Sequence, residues 1–318
     1  MSRVILTVCL NAAVDVTYSV PALVPGSSHR VSAVRARAGG KSVNVARVLR
    51  QLGEPAQLLG FAGGESGDVL RRDLHDAGIP AELVPTVEAT RRTVAVVDPL
   101  DATLFNEPGP VISADEWALL VGLFGRSVSD ADLVVLSGSL PRGVPITAYA
   151  DLVEIAHAAG VRSIVDADGA ALGAALVARP YLVKPNTAEL AALLGRQLDS
   201  LERIELAARE LLSAGARNAV VSCGPDGLLA VTEHGHWRAV SPERIAGNPT
   251  GAGDSLVAAL ARGCCRTPAD QDPGWPTVLA DGVAISAAAV VVDVAGEIDV
   301  PTMHRLRPLV STEERSST

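Results

Sequence analysis

The chain has 318 residues, of which 48% are hydrophobic, 20% are charged and 3% are aromatic, and its formal net charge is −9. This length suits one large α/β domain, and the acidic balance disfavours a nucleic-acid or anionic-membrane surface. The four cysteines lack the CxxC spacing of metal ligands, so reduced thiols in a cytoplasmic protein are expected. The longest weakly polar run, 282–292, is about half of a membrane span, so no membrane segment is expected.

The predicted elements begin with a buried strand at 4–10, where the chain is apolar and β-branched. Two stretches without helical periodicity come later, at about 12–37 and 91–106. In the second stretch, Pro99-Leu100-Asp101 is the predicted turn between two short strands. We interpret the two stretches as a small β-sheet lid, which would exclude water from a reacting phosphoryl group.

The rest of the chain alternates between strand and helix patterns, which is typical of parallel strands joined by crossover helices. Strands are expected at 58–61, 133–136, 162–165, 181–183, 219–222 and 228–231, and helices at 68–77, 148–159, 188–194, 202–214, 254–262 and 278–291. We therefore predict a single domain over 1–318 with a doubly wound, mostly parallel sheet in a three-layer α/β/α core. The polar tail, 311–318, is expected to fray.

The first motif that suggests chemistry is Asn248-Pro249-Thr250-Gly251-Ala252-Gly253-Asp254, which precedes an apolar helical run. The N–H groups of a first helical turn lack intrahelical partners and lie at the positive end of the helix dipole, so they can hold an anion. Asp254 beside that anion is suited to accepting the proton of a hydroxyl during phosphoryl transfer. An ordinary loop with an N-cap is the alternative for this motif taken alone.

A second glycine pair precedes a helical pattern in Ala38-Gly39-Gly40-Lys41-Ser42-Val43-Asn44. Glycine backbone, the Lys41 cation and the Asn44 amide one turn later together suit an anionic, polyhydroxylated ligand. A tight turn before a helix is the alternative for this motif taken alone.

Six motifs in this order resemble the ribokinase-like (PfkB) carbohydrate kinases, in the branch of 1-phosphofructokinases, tagatose-6-phosphate kinases and minor 6-phosphofructokinases. The motifs are Leu10-Asn11-Ala12-Ala13-Val14-Asp15, the stretch 38–47, Asn106-Glu107-Pro108-Gly109-Pro110, Ser137-Gly138-Ser139-Leu140-Pro141, Val183-Lys184-Pro185-Asn186 with Glu189, and the stretch 248–254. The resemblance implies a ribokinase-like core under a β lid. It also implies transfer of the γ-phosphoryl group of ATP to a sugar hydroxyl, assisted by Mg²⁺.

The resemblance further implies roles for single residues. Asp254 would be the catalytic base, and the backbone N–H groups of Gly251, Ala252 and Gly253 would stabilise the transferring group. The sugar would be bound by Asp15, Gly39, Gly40, Lys41, Asn44, Arg91 and Ser139. ATP would be bound by Lys184, Asn186, Ser222, Gly224, Gly227 and Thr250, with adenine against apolar residues of the last helices. Glu189 would act on Mg²⁺ through water, with a solvated helix face as its alternative.

A sugar phosphate, unlike a free sugar, requires cations at its far end. Lys41 and Arg91 would supply them, with Arg30 or Arg142 as further candidates. Fructose 1-phosphate is the first choice, because Gly-Gly-Lys and Asn-Glu-Pro-Gly-Pro resemble that subgroup, and tagatose 6-phosphate and fructose 6-phosphate come second. Ser42 stands where this branch often has glycine, which leaves the exact sugar open.

Three other functions remain as alternatives. A nucleoside or free-sugar kinase on the same fold is disfavoured by Lys41 and Arg91. A non-catalytic sugar-phosphate sensor predicts the loss of Asp254 or of the glycines before it, and all of them are present. A dinucleotide-binding dehydrogenase is disfavoured because no GxGxxG motif follows the first strand. Pairing of lid strands between two copies would give a homodimer.

Overall fold

The computed structural model describes residues 3–99, 102–268 and 271–315, so Leu100 and Asp101 of the predicted turn lie outside the described residues. Within these ranges fourteen strands form two sheets. The strands are β1 (Ile5–Cys9), β2 (Ala13–Ser19), β3 (Ala33–Gly39), β4 (Ala56–Ala62), β5 (Ala81–Pro85), β6 (Arg91–Val97), β7 (Ala102–Asn106), β8 (Leu133–Ser137), β9 (Arg162–Asp166), β10 (Leu182–Val183), β11 (Asn218–Ser222), β12 (Leu228–Thr232), β13 (His236–Val240) and β14 (Ser311–Arg315). The α-helices in the same ranges are α1 (Lys41–Gln51), α2 (Gly64–Asp76), α3 (Ala114–Ser127), α4 (Ala148–Ala158), α5 (Gly169–Val177), α6 (Thr187–Leu194), α7 (Leu201–Ser213), α8 (Ala252–Arg266), α9 (Trp275–Val290) and α10 (Val300–Leu306).

The large sheet has the strand order β14-β13-β12-β11-β10-β9-β8-β1-β4-β5 among the described residues. The strands from β11 to β5 pair in parallel, and β12, β13 and β14 are added as antiparallel strands. Every residue of β1 is buried, because a central parallel strand has both faces covered by helices. One hydrophobic core contains residues of α1, α2, α8 and α9, and the other contains residues of α3, α4, α5 and α7. The predicted three-layer, mostly parallel α/β/α architecture is therefore confirmed.

The second sheet has the order β3-β2-β6-β7 and is built from the two stretches predicted to form a lid. Strand β2 pairs antiparallel with β3 and parallel with β6, so Asp15 lies opposite both Arg37 and Thr93. The chain passes between core and lid at four points: between β1 and β2, between β3 and α1, between β5 and β6, and between β7 and α3. The lid therefore lies next to the carboxyl end of β1 and the start of α1.

The prediction that the tail frays was wrong for residues 311–315. These residues form β14, which pairs antiparallel with β13. The side chains of β14 are mostly exposed, so the segment has the polar composition of a loose tail although its backbone is bonded in the sheet. Arg315 also places its Nε 2.9 Å from an oxygen of the buried Glu205 on α7. Residues 316–318 lie outside the described part of the chain.

The described residues include no helix with both the length and the apolar character that crossing a bilayer requires. All four cysteines are free. Cys264 and Cys265 are buried near the end of α8.

Candidate active site

Two helices, α1 and α8, begin close together near the carboxyl end of the central strands, and they pack against each other. Gly251 precedes α8 with a φ of 84°, and a Cβ atom there would lie 2.8 Å from the Cα of Ala295. Glycine is therefore required for the turn that starts α8. The packing of the two helices brings the Nδ2 of Asn44 within 2.8 Å of an oxygen of Asp254, to which it donates a hydrogen bond.

The Asp254 carboxyl group is buried in the first turn of α8. Burial and, second to it, the negative charge of Asp166 raise its pKa to about 7. The hydrogen bond from Asn44 and the charges of Lys41 and Lys184 act in the opposite direction. A carboxylate with a pKa near neutrality can both release and accept a proton at working pH, as a general base must.

Asp166, at the end of β9, is the centre of a buried charge cluster next to Asp254. Its Oδ1 lies 3.1 Å from the Nζ of Lys184, and its Oδ2 accepts a 2.8 Å hydrogen bond from the hydroxyl of Ser137. The Nζ of Lys41 is 3.7 Å from the same Oδ2. Burial would raise the pKa of Asp166, but the two lysines outweigh burial and hold it below its usual range. Asp166 was not among the site residues predicted from the sequence.

Glu189 and Asn186 form a capping box at the start of α6. The Oδ1 of Asn186 accepts a hydrogen bond from the Glu189 N–H at 2.8 Å, and the Oε2 of Glu189 accepts one from the Asn186 N–H at 2.9 Å. The other carboxylate oxygen of Glu189 is 3.9 Å from the Nζ of Lys41. Both predicted residues therefore follow β10 at the carboxyl edge of the large sheet, where Asp166 ends β9.

The carboxylates at this edge fit Mg²⁺ only as a partly hydrated ion. Among the described residues, no group of three His, Cys, Asp or Glu side chains could hold a metal ion by itself. Glu189 and Asp166 could contribute through water, because Mg²⁺ usually keeps several waters and takes its remaining ligands from substrate phosphates.

A cleft of about 450 Å³ extends from the start of α8. One wall is formed by residues predicted to bind ATP, namely Asn186, Ser222, Gly224 and Gly227. Ala252 and Gly253 also line the cleft, and another part of its wall is apolar. The apolar wall contains Leu256, Val283, Ala287 and Val290, from α8 and α9. Helices α8 and α9 thus supply an apolar wall of the kind expected to contact adenine.

Two of the residues predicted to bind ATP do not line this cleft. The Lys184 side chain is buried beside Asp166. Thr250 is exposed in the turn before α8, where its N–H donates a 3.0 Å hydrogen bond to the side chain of Asn248.

Four polar residues lie together where the lid meets the core. The Nε of Arg91 donates a 3.2 Å hydrogen bond to the carbonyl of Asn11, and the amide of Asn11 donates one of 3.0 Å to the hydroxyl of Ser139. Burial raises the pKa of Asp15, while the charge of Arg91 opposes the rise. A Cβ atom on Gly39 would lie 2.0 Å from the Asp15 carboxylate, so only glycine lets the turn approach it. Asn11 belongs to a motif found in the sequence but was not selected as a site residue.

The other predicted substrate residues point elsewhere. The amide of Asn44 contacts Asp254, and the amine of Lys41 faces Asp166. The guanidinium of Arg142 lies 3.9 Å from Glu88, and Arg30 is exposed between β2 and β3. Arg91 is therefore the predicted cation that binds Asn11, and Asn11 in turn binds Ser139.

Comparisons with known proteins identify the family of the chain. Residues 6–303 match the pfkB family carbohydrate kinases. A 1-phosphofructokinase from Rhodobacter capsulatus is 40% identical over 263 residues, which are 82% of this chain and 83% of that protein. The structure of phosphofructokinase-2 from Escherichia coli in complex with fructose-6-phosphate is similar with a TM-score of 0.87 and 31% identity, over 97% of this chain and 99% of the other. A possible 1-phosphofructokinase from Thermotoga maritima gives a TM-score of 0.89 and 25% identity, over 99% and 100% of the two chains. The chain belongs to the pfkB family of carbohydrate kinases.

Proposed function

We propose that this kinase transfers the γ-phosphoryl group of ATP to fructose 1-phosphate and so forms fructose 1,6-bisphosphate. The observation that carries the proposal is the position of Asp254, buried in the first turn of α8 and held by Asn44. It lies beside the nucleotide-sized cleft. The identity of 40% with a 1-phosphofructokinase supports the choice of sugar.

In the proposed reaction, the sugar donates its C6 hydroxyl proton to Asp254 while the hydroxyl oxygen attacks the γ-phosphorus of ATP. The new O–P bond forms as the bond from the γ-phosphorus to the bridging oxygen breaks, and that electron pair leaves with ADP. The proton passes from Asp254 to solvent. Because a sugar hydroxyl is a very weak acid, Asp254 orients it and takes its proton as the new bond forms.

The backbone N–H groups of Gly251, Ala252 and Gly253 would donate to the oxygens of the transferring group at the positive end of α8. The adenine ring would lie against the apolar wall of the cleft, which α8 and α9 supply. Mg²⁺ bound with ATP would neutralise phosphate charge, with Glu189 and Asp166 acting through its water shell. The roles of Lys184 and Thr250 in ATP binding remain predictions.

Arg91, Asn11 and Ser139 are the groups that we propose for the phosphate already on the sugar. A guanidinium group and two donors of hydrogen bonds suit a phosphate dianion. Asp15, across Gly39 from α1, would bind sugar hydroxyls. Fructose 6-phosphate is the second candidate, because the similar Escherichia coli structure contains that sugar phosphate. Like fructose 1-phosphate, fructose 6-phosphate carries a phosphate at one end and a primary hydroxyl at the other.

The test is ADP release with Mg-ATP against fructose 1-phosphate, fructose 6-phosphate, tagatose 6-phosphate, fructose, ribose and adenosine. The highest kcat/KM is expected for fructose 1-phosphate, and Asp254→Asn serves as the inactive control. A preference for free fructose or adenosine would overturn the phosphate site. Binding of the sugar phosphates without any turnover would support the sensor alternative.

We also propose a homodimer formed through the lid. Because alternate residues of a strand share one face, the strand register puts Val16, Tyr18, Val34, Val94, Val96 and Phe105 on one lid face. The register puts Asp15, Thr93 and Arg37 on the other face. Val34 and Phe105 in this row are 61% and 56% exposed. A row of exposed apolar side chains on one face is typical of a surface that contacts another protein. A second copy would cover it by packing lid against lid.

Light scattering after gel filtration tests the dimer. The native protein is expected to have twice the monomer mass, and Phe105→Asp is expected to shift it toward the monomer. Val177→Asp is the matched control, because Val177 is 79% exposed on α5. A monomeric native protein would refute the proposal.

A further inference from the structure

Lys41 is the first residue of α1, and its ammonium group lies near two acidic side chains. Its Nζ lies 3.7 Å from Asp166 and 3.9 Å from Glu189. Within the described residues, these are the two ion pairs that Lys41 makes. Arg91, in contrast, contacts Asn11 at the junction of lid and core. The two cations that the sequence assigned to one phosphate therefore contact different groups of residues.

The surroundings of Lys41 are strongly acidic. Burial would lower the pKa of Lys41, but four carboxylates outweigh burial and raise it, so the amine stays protonated at working pH. The four carboxylates belong to Asp166, Glu189, Asp254 and Asp168. Two lysines, Lys41 and Lys184, face these four acids, so the region has more negative than positive charge.

A phosphoryl group entering this region requires a cation that can reach it. The Lys184 side chain is only 4% exposed and forms an ion pair with Asp166. The Lys41 side chain, in contrast, is 37% exposed. The four-carbon stem of lysine allows its charge to move by rotation of single bonds. Lys41 is therefore the cation of the pair that can turn toward an incoming phosphate.

The position of α1 also links Lys41 to the reacting centre. Asn44, three residues later on α1, donates its hydrogen bond to Asp254. Residues three apart lie on the same side of a helix, so the cation and the amide face one region. This region adjoins the first turn of α8, where the γ-phosphoryl group would be held.

We propose that Lys41 binds the transferring γ-phosphoryl group rather than the phosphate already on the sugar, and that Asp166 and Glu189 hold its ammonium group in place before ATP arrives. This inference rests on the proposed use of ATP but does not depend on the identity of the sugar. Lys41 then contributes to catalysis, whereas Arg91 contributes to binding of the sugar phosphate.

The test compares Lys41→Met with Arg91→Met by calorimetric titration, without sugar, using the Mg²⁺ complexes of ADP and of a non-hydrolysable ATP analogue. Lys41→Met is expected to weaken binding of the analogue about tenfold or more while changing the Kd of ADP less than about threefold. Arg91→Met is expected to change neither. Lys41→Arg, which keeps the charge, is expected to retain most of the preference for the analogue.

Equal losses for ADP and the analogue would mean a structural role and would overturn the proposal. An unchanged preference of Lys41→Met for the analogue over ADP would also overturn the proposal. Steady-state kinetics with the best sugar phosphate supply a second readout, in which Lys41→Met should lower kcat and Arg91→Met should raise KM. If no phosphorylated ketose is turned over, the proposed substrate fails, while the nucleotide titration still decides the role of Lys41.

Discussion

The amide of Asn44 donates a 2.8 Å hydrogen bond to the carboxylate of Asp254, and this bond joins the first turns of α1 and α8. Asn44 thus orients the proposed base, whereas the resemblance assigned it to the sugar. A hydrogen bond to an ionised carboxylate stabilises the charged form, so Asn44 lowers the pKa that burial raises. The reactivity of Asp254 therefore depends on a residue of the neighbouring helix.

Asn44→Ala should lower kcat by about tenfold or more and shift the acid limb of the pH–rate profile to higher pH, because Asp254 loses a donor to its ionised form. Asn218→Ala is the matched control. Asn218 is 6% exposed, as Asn44 is, and its amide donates a 2.8 Å hydrogen bond to the carbonyl of Tyr181 outside the site. An equal loss of kcat in both variants would indicate general destabilisation.

The pH dependence of kcat/KM should follow the ionisation of Asp254 in the free enzyme. Its pKa is raised to about 7, so the ionised base becomes more abundant as pH rises through neutrality. We expect kcat/KM to increase about tenfold per pH unit below pH 7 and to level off above about pH 8. Profiles with a saturating second substrate measure this, and a flat profile between pH 6 and 8 would contradict the pKa.

Asp254→Asn should lose activity and gain stability. Removing a catalytic base of this kind is expected to lower kcat by about 10²–10⁴-fold, while the backbone groups of the cleft still bind ATP. The native pKa of about 7 lies above the ordinary value of 3.8 for an aspartate, so the folded protein is destabilised as pH rises between these values. The loss of stability caused by burying the ionised Asp254 carboxylate is complete above pH 7 and absent below about pH 4.

Thermal unfolding measures this second effect. The Tm of Asp254→Asn should exceed that of the native protein by about a few degrees at pH 8, and the difference should shrink at pH 5. Asp199→Asn serves as the control, since Asp199 pairs on the surface with Arg203. A lower Tm at pH 8 would mean that the carboxylate of Asp254 stabilises the fold.

The alternating strands and helices were predictable because buried parallel strands are short apolar runs, as in β8. Helix α3 was not predicted, although Ser113 and Glu116 form a capping box that is visible in the sequence. Helix α5 was not predicted either, because its sequence is rich in alanine and glycine and has little amphipathic pattern.

The site was harder to predict because side-chain direction depends on the order of strands in the sheet. The sequence indicated a cation at Lys41, but Lys41 faces Asp166 only because β8 lies between β1 and β9 in the sheet. Asp166 likewise acquires its partners Lys184 and Ser137 from neighbouring strands. No local pattern around these residues contains that information.

Ser42, which stands where the family branch often has glycine, is the last residue for which we predict an effect. Its hydroxyl is buried and lies 2.6 Å from the carbonyl of Val8 and 2.9 Å from that of Ser137. It therefore fastens the start of α1 to the ends of β1 and β8. Ser42→Ala should lower the free energy of unfolding by about 1–3 kcal/mol, because buried acceptors lose their donor.

Urea unfolding checks this, with Ser32→Ala as the control. The hydroxyl of Ser32 also donates to a carbonyl, that of Ser19 at 2.9 Å, but the bond is exposed and its loss should cost about 0.5 kcal/mol or less. Because α1 carries both Lys41 and Asn44, Ser42→Ala should also lower kcat. If stability fell while kcat stayed unchanged, Ser42 would support the fold without positioning α1 for catalysis.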